Sequence, residues 1–197
     1  MSETRSYPRH VKTDAGDIEF RLMARADEAA VLAFAQKLPT HDLLFLPRNI
    51  SQPKVLSAWI NEIERGDITS ILAVNAGTVV GCGTLVRDPH SWSPHVGEIR
   101  MVVSEDVRGQ GVGRTLSQET FALALSAGLE KLSVQMTVDQ QAAIALFESL
   151  GFKAEALLRD HVRDVDGKKH DIVVLGHNVA QVRAQMEAYG LPGAVQH

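Results

Sequence analysis

Apolar and polar residues alternate in several short runs of this chain and recur every three or four residues in longer ones. A period of two is typical of a half-buried strand, and the longer period is typical of an amphipathic helix. The predicted strands are residues 18–22, 68–74, 79–85, 99–103, 132–138, 156–165 and 169–175. The predicted helices are residues 28–38, 53–65, 112–127, 140–150 and 179–189. This mixture predicts one α/β domain built on a mixed sheet.

Proline, glycine and short polar residues mark where these elements begin and end. Asp27 is placed to cap the first helix, and Pro39 ends it. Pro53 suits the first turn of the second helix, and Gly66 suits its carboxyl end. The segment 75–78, Asn-Ala-Gly-Thr, predicts a hairpin between two strands.

The stretch from residue 98 to residue 114 organises the chain. A β-branched run, Ile99 to Val103, precedes glycines at positions 109, 111 and 113, and a helical pattern follows. Glycines allow a tight turn close to a ligand, and a helix start adds unpaired N–H donors. The stretch therefore predicts a cradle for an anion such as a phosphate, the alternative being a glycine-rich turn without a ligand.

Two familiar phosphate-binding patterns do not fit this loop. A P-loop ends in Gly-Lys-Ser/Thr, whereas Gly113 is followed by Arg114 and Thr115. A dinucleotide-binding fingerprint needs its third glycine where Arg114 stands. An Arg-x-x-Gly-x-Gly pattern between a strand and a helix remains.

That pattern resembles the pyrophosphate loop of the GNAT superfamily, the N-acetyltransferases that use acyl-coenzyme A. A second block resembles the family's Ala-x-x-Leu-Tyr helix closing in Gly-Phe. Four positions of this block match, namely Ala143, Leu146, Gly151 and Phe152. Two depart from it, because Gln140 lies where an asparagine often stands and Phe147 replaces the usual tyrosine. The resemblance covers roughly residues 17–178.

The resemblance implies the GNAT-like fold, with strands splayed around acetyl-coenzyme A as co-substrate. The pantetheine arm would bond to the strand backbone, and the loop N–H groups would hold the pyrophosphate. Gln140 and Phe147 would flank the thioester-bearing arm. The implied cofactor-binding residues are Met101, Val102, Val103, Arg108, Gly109, Gln110, Gly111, Val112, Gly113, Arg114, Gln140 and Phe147.

Transfer of an acetyl group to an amine needs a base, and Glu98 is the candidate. It lies at the start of the strand that would present the thioester, where many family members carry a base. The alternative is a solvated glutamate at the strand edge. If Glu98 is structural, Asp160, His161 and His170 on the final hairpin are the next candidates. Phe147 supplies no acid for the leaving thiolate.

Two loops are predicted to contact the amine acceptor rather than the cofactor. Residues 41–47 are unusually apolar, which fits either an acceptor pocket that includes Phe45 or a connector packed into the core. Residues 88–95 contain Trp92 and two histidines whose spacing does not indicate a metal site. The acceptor is a small molecule or a protein lysine or N-terminus, and the sequence leaves this open.

Composition narrows the class of protein further. The net charge of −4 argues against a general binder of nucleic acid, and no run is long enough for a transmembrane helix. The start of the chain shows no secretory signal, and the single Cys82 fits a reducing compartment, so we expect a cytoplasmic protein without a membrane or metal partner. We interpret Cys82 as a small buried residue.

The expected organisation is a flexible tail over residues 1–16, a GNAT-like domain over residues 17–178, and a terminal helix and tail over residues 179–197. A homodimer is compatible with the resemblance. The second functional hypothesis is a non-catalytic sensor or regulatory module that binds acyl-coenzyme A. It is suggested by Phe147, which stands where the family usually has a tyrosine.

Overall fold

A single eight-stranded sheet forms the centre of the computed structural model, which describes residues 5–180. The strands are β1 (Arg9–Thr13), β2 (Gly16–Leu22), β3 (Ile68–Asn75), β4 (Thr78–Arg87), β5 (Val96–Val103), β6 (Lys131–Thr137), β7 (Lys153–Arg163) and β8 (Lys169–Asn178). The helices are α1 (Glu28–Lys37), α2 (Pro53–Arg65), α3 (Val112–Ser126) and α4 (Gln141–Ser149). The strand order is β1-β2-β3-β4-β5-β6-β8-β7, and β5 and β6 run parallel whereas the other neighbours are antiparallel. The predicted mixed α/β architecture is confirmed.

Helices cover both faces of this sheet because its central strands are apolar on both sides. On one face, Cys82 and Val102 pack in a cluster with Leu56 and Ile60 of α2. On the other face, the apolar cluster includes Leu85 and Ile99 of the sheet together with Ala124 of α3 and Phe147 of α4. Successive residues of β5 therefore point to opposite layers, and this alternation decides which side chains reach which side of the site.

Local signals fix most of the element ends as predicted. Pro53 occupies the first turn of α2, and Gly66 ends that helix with a φ of 82°. Ala76 and Gly77 at the β3–β4 turn have φ angles of 46° and 81°, as a tight two-residue hairpin requires.

Asp27 precedes α1 but does not cap it as predicted. Its side chain makes no hydrogen bond to the N–H groups of the helix. Instead it accepts two hydrogen bonds from Arg21, at 2.7 and 2.8 Å, and one from the Ala24 backbone at 2.9 Å. The hydrogen bonds from Arg21 hold the pKa of Asp27 below its ordinary value. The residue thus joins the end of β2 to the helix start.

The N-terminal segment corrects the prediction of a flexible tail over residues 1–16. Residues 9–13 form β1, which pairs along its whole length with β2. Polar side chains obscured this edge strand, because an alternating pattern of charged residues carries little hydrophobic signal. The terminal helix predicted over residues 179–189 lies outside the described residues from residue 181 onward.

A buried carboxylate explains why this polar segment is ordered. Glu119 of α3 keeps only 3% of its side-chain surface exposed. It accepts hydrogen bonds from Tyr7 at 2.9 Å and Arg9 at 2.8 Å, and it pairs with Arg5 at 2.7 Å. A buried charge without partners is strongly destabilising, so Glu119 and the N-terminal segment stabilise each other.

Candidate active site

A cleft opens in the middle of the sheet where β5 and β6 part. The two strands pair from Val96 with Lys131 as far as Ile99 with Val134. Beyond this point the segments 100–103 and 135–137 are no longer paired to each other, although each keeps its antiparallel neighbour. Backbone groups on the facing edges are thereby left available to a ligand in the cleft.

The glycine loop lies beside this cleft and leads into α3. Gly109 and Gly111 have φ angles of 73° and 84°, and Gly111 is the N-cap residue that precedes α3. A side chain would be strained at both positions. Within residues 5–180, the backbone N–H groups of Gly109, Gly111, Gly113 and Arg114 make no hydrogen bond. These donors, together with the positive end of the α3 dipole, suit a diphosphate.

A cavity of about 630 Å³, called here the cofactor cavity, joins the glycine loop to the open strand edges. Ten of the twelve predicted cofactor-binding residues line it, namely Met101, Val102, Val103, Arg108, Gly109, Gly111, Gly113, Arg114, Gln140 and Phe147. The other two do not line it. Gln110 donates its side-chain amide to the Asp106 carbonyl at 2.8 Å, and Val112 is fully buried in the core.

Phe147 and Gln140 lie at the α4 wall of this cavity. Phe147 is 2% exposed, and its ring meets Phe152 edge-on with 5.2 Å between centroids. The Gln140 side-chain oxygen accepts a hydrogen bond from the Thr137 N–H at 3.3 Å. The thioester arm would therefore pass an apolar ring and an amide, with no hydroxyl at position 147.

The connection between α1 and α2 crosses the mouth of the cofactor cavity. Its His41 is hydrogen-bonded to Asp139 at 2.7 Å, and its Asp42 is ion-paired with Arg108 of the glycine loop. Phe45 lines the same cavity, as do His41 and Asp42. The sequence predicted that residues 41–47 contact the acceptor and not the cofactor, and which ligand they contact stays a prediction. The same connection is also packed into the core, because Leu43 is buried in the cluster that includes α2.

A second cavity, of about 520 Å³, lies on the α2 side of the sheet and is called here the acceptor cavity. Leu46 and Pro47 line it from the α1–α2 connection, and the segment 87–90 lines it from the β4–β5 loop. Met101 and Val102 line both cavities. The two cavities therefore share one wall, the segment of β5 just beyond the point where it leaves β6.

Glu98 and Arg100 lie on one face of β5, two residues apart. Arg100 donates from Nε and Nη2 to the two carboxylate oxygens of Glu98, both at 2.9 Å. Arg100 lines the acceptor cavity, whereas Glu98 lines neither cavity and keeps 24% of its side chain exposed. Glu98 therefore reaches the acceptor cavity only next to, or through, Arg100. The period-two alternation of the strand could have pointed to Arg100, because it must share the face of Glu98.

Several predicted candidates lie away from both cavities. Trp92 is fully exposed and lines neither. On the final hairpin, His170 is bonded to Asp164 at 2.7 Å and contacts the ring of His41, whereas Asp160 and His161 are exposed.

Cys82 lies on the floor of the acceptor cavity, but its side chain is buried. Burial raises the pKa of its thiol to about 12, so it stays protonated at neutral pH and is a poor nucleophile.

Neither metal chemistry nor a membrane span is indicated by the part of the chain that the structure describes. Residues 5–180 contain no group of three or more side chains placed to hold a metal ion. The helices in that range are too short or too polar to cross a membrane.

Residues 36–152 match the model of the acetyltransferase (GNAT) family. Over 94 residues the chain is 35% identical to an IAA acetyltransferase of Azospirillum brasilense, covering 47% of this chain and 60% of that protein. It is 31% identical over 74 residues to the [ribosomal protein bS18]-alanine N-acetyltransferase of Escherichia coli K12, covering 38% and 50%. The chain thus matches little more than half the length of these relatives.

Solved structures share the fold. A GNAT-family acetyltransferase from Streptococcus pneumoniae superimposes with a TM-score of 0.71 at 20% identity, covering 82% of this chain and 99% of that one. A putative acetyltransferase from Salmonella typhimurium, solved with its cofactor acetyl-CoA, gives a TM-score of 0.70 at 18% identity, covering 82% and 94%.

Proposed function

The chain belongs to the acetyltransferase (GNAT) family, and we propose that it transfers an acetyl group from acetyl-coenzyme A to a primary amine. The observation that carries this proposal is that Met101 and Val102 line both cavities, so the two spaces lie against the same short segment of β5. A thioester lying in the cofactor cavity and an amine entering from the acceptor cavity would come together there. Direct attack then needs no covalent enzyme intermediate, in agreement with the inert Cys82.

The residues around the cofactor cavity fit acetyl-coenzyme A in chemistry as well as position. The N–H groups of Gly109, Gly111 and Gly113 would bind the pyrophosphate, and the parted backbone of Met101 to Val103 would bond the pantetheine amides. Acetyl-coenzyme A would supply the activated acetyl group, and these residues would orient its thioester.

The acceptor amine must lose a proton before it attacks. An amine of pKa near 10.4 costs about 4.6 kcal/mol to deprotonate at pH 7. Glu98 is the proposed base and acts through a water, because its carboxylate lines neither cavity directly. Each carboxylate oxygen has two acceptor sites, so a water can bind beside the Arg100 hydrogen bonds.

Departure of the thiolate is the smaller difficulty. With a thiol pKa near 8.5, release without a proton costs only about 2 kcal/mol at pH 7. The apolar Phe147 in the place of a tyrosine is therefore compatible with turnover.

The test is the variant Glu98→Gln, which preserves shape but removes basicity. General-base catalysis is worth about 10²–10⁴-fold, so kcat should fall by that order while coenzyme A affinity, measured by calorimetry, stays unchanged. Phe147→Tyr is the companion variant and should raise kcat only modestly. Near-full activity of Glu98→Gln at every pH would remove Glu98 from the mechanism.

A non-catalytic sensor of acyl-coenzyme A is the second candidate, favoured by Phe147 and by the ion pair that occupies Glu98. The sensor and the enzyme both bind coenzyme A. Only the enzyme releases free thiol from acetyl-coenzyme A when a panel of amines is added, so a thiol-release assay separates them.

A further inference from the structure

Arg100 presents an unused pair of donors on the floor of the acceptor cavity. Glu98 takes the hydrogen bonds of Nε and Nη2, and the structure records no partner for Nη1 among residues 5–180. The Arg100 side chain is 22% exposed, and its guanidinium is held by the two-point contact with Glu98. A fixed arginine fork with one free edge is well suited to an anionic oxygen.

Two of the three carboxylates that line the acceptor cavity are ion-paired. Glu62 pairs with Arg48 at 3.7 Å, and Asp67 pairs with Arg65 at 2.9 Å. The Asp88 side chain accepts the His90 backbone N–H at 3.0 Å. A polycationic acceptor would therefore find only the Asp88 carboxylate without a cationic partner among residues 5–180.

Cationic groups are also available in this cavity. Arg87 lines the acceptor cavity without an ion pair or hydrogen bond to residues 5–180, and Arg100 has its free edge. The opposite wall is apolar and includes Ile50, Val55 and Trp59. The indole N–H of Trp59 is buried and has no acceptor within the described range.

We propose that the acceptor is a free α-amino acid with an apolar side chain, whose carboxylate binds Arg100. This inference rests on the proposed acetyl transfer and narrows its acceptor. Arg100 immediately precedes Met101, which lines both cavities, so a carboxylate on Arg100 would hold the neighbouring α-amine close to the thioester. Arg100 is thus a specificity-determining residue, and Glu98 also positions its guanidinium.

The proposal is tested with matched acceptors that differ only at the carboxylate. Leucine, methionine, phenylalanine and tryptophan are each compared with the corresponding amide and the decarboxylated amine. The α-amine of the amide has a pKa of about 7.7–8.0 and is easily deprotonated. This difference in basicity alone would favour the amide over the free amino acid, so it cannot produce a preference for the amino acid. We expect the preferred free amino acid to exceed its amide in kcat/KM by at least about 10-fold, as one charge-assisted contact predicts.

Variants then locate the effect. Arg100→Gln should raise KM for the amino acid by about 10- to 100-fold. Because Arg100 also holds Glu98, turnover of the amide falls as well, and the loss of kcat/KM should be at least about 10-fold larger for the amino acid than for its amide. Arg100→Lys keeps a charge and the ion pair, and it should give an intermediate KM. Arg25→Gln is the matched control, because Arg25 makes a similar two-point pair with Glu64 at the surface, away from both cavities.

The outcomes separate this inference from the proposed function. If no amine of any kind is acetylated while coenzyme A binds, acetyl transfer itself fails. If amides or decarboxylated amines are acetylated as well as the amino acids, acetyl transfer stands and the carboxylate assignment is overturned. A loss of coenzyme A affinity equal to the loss of activity in both Arg100 variants would show that Arg100 is structural.

Discussion

Gly113 offers a cleaner test of the cofactor cavity than Gly111. A Cβ at Gly113 would lie 3.8 Å from the side chains of Leu146 and Val103, which is ordinary contact. Gly111 has a φ of 84°, where any side chain is strained. The effect of a substitution there on cofactor binding could therefore not be separated from the effect of backbone strain.

We therefore predict that Gly113→Asp weakens coenzyme A binding by at least about 100-fold, since a carboxylate would meet the pyrophosphate and displace charge-assisted hydrogen bonds of about 1.5–3 kcal/mol each. Gly113→Ala is the control and should keep its affinity within about threefold. Calorimetric titration of both folded variants gives the comparison. Equal binding by the Asp variant and the wild type would contradict the placement of the pyrophosphate.

His177 predicts a pH dependence of stability. It is 6% exposed, lies between Phe121 and Phe152, and its Nδ1 has no partner among the described residues. Burial lowers its pKa below the ordinary 6.5. The unfolded chain then binds a proton that the folded chain resists, so the free energy of unfolding falls as pH drops below about 6.5.

The variant His177→Phe should remove this contribution. We expect the wild type to lose more stability than the variant between pH 7.5 and pH 5, measured by urea denaturation at each pH. Parallel curves for the two proteins would show that His177 protonation does not affect folding.

At the scale of elements, the α1–α2 connection is anchored in the core by Leu43 and Ile50, and two ion pairs attach its His41–Asp42 end across the cleft. His41 to Asp139 and Asp42 to Arg108 attach it to opposite sides of the cleft. Partly exposed ion pairs contribute little, about 0.2–1 kcal/mol each. The His41–Asp42 end should therefore move aside readily to admit a co-substrate, while the buried part of the connection stays in place.

We predict that Asp42→Asn combined with Asp139→Asn raises the dissociation rate of coenzyme A by about 2- to 10-fold, because both attachments lose their charge. Stopped-flow displacement measures this rate. Glu64→Gln, which breaks the exposed pair with Arg25 away from both cavities, is the control. An unchanged dissociation rate in the double variant would mean that the connection does not retain the cofactor.

Elements with local signals were predictable from the sequence, and contacts between distant segments were not. The β3–β4 hairpin, Pro53 in α2 and the glycine loop each depend on a few neighbouring residues, and the structure agrees with them. The strand β1 is ordered by Glu119, more than a hundred residues away, so its own polar sequence could not reveal it.

The candidate site shows the same limit. Ten of the predicted cofactor-lining residues come together because one motif brings most of them. The position of Phe45 in the lining of the cofactor cavity and the exposure of Trp92 depend on the way in which the two loops pack against the sheet. Apolar content alone does not determine that packing.

For the whole molecule, the parting of β5 and β6 has a mechanical consequence. Only four residue pairs join these strands, whereas β4 and β5 share seven, as do β6 and β8. When the sheet is pulled apart across its strands, this seam should open first. A co-substrate bound along the facing edges of β5 and β6 would link the two halves of the sheet and raise the force needed to separate them. Single-molecule pulling with handles on β4 and β8 should show this increase in unfolding force when coenzyme A is added. Repeating the measurement with desulfo or truncated analogues should show how much of the increase each part of coenzyme A contributes.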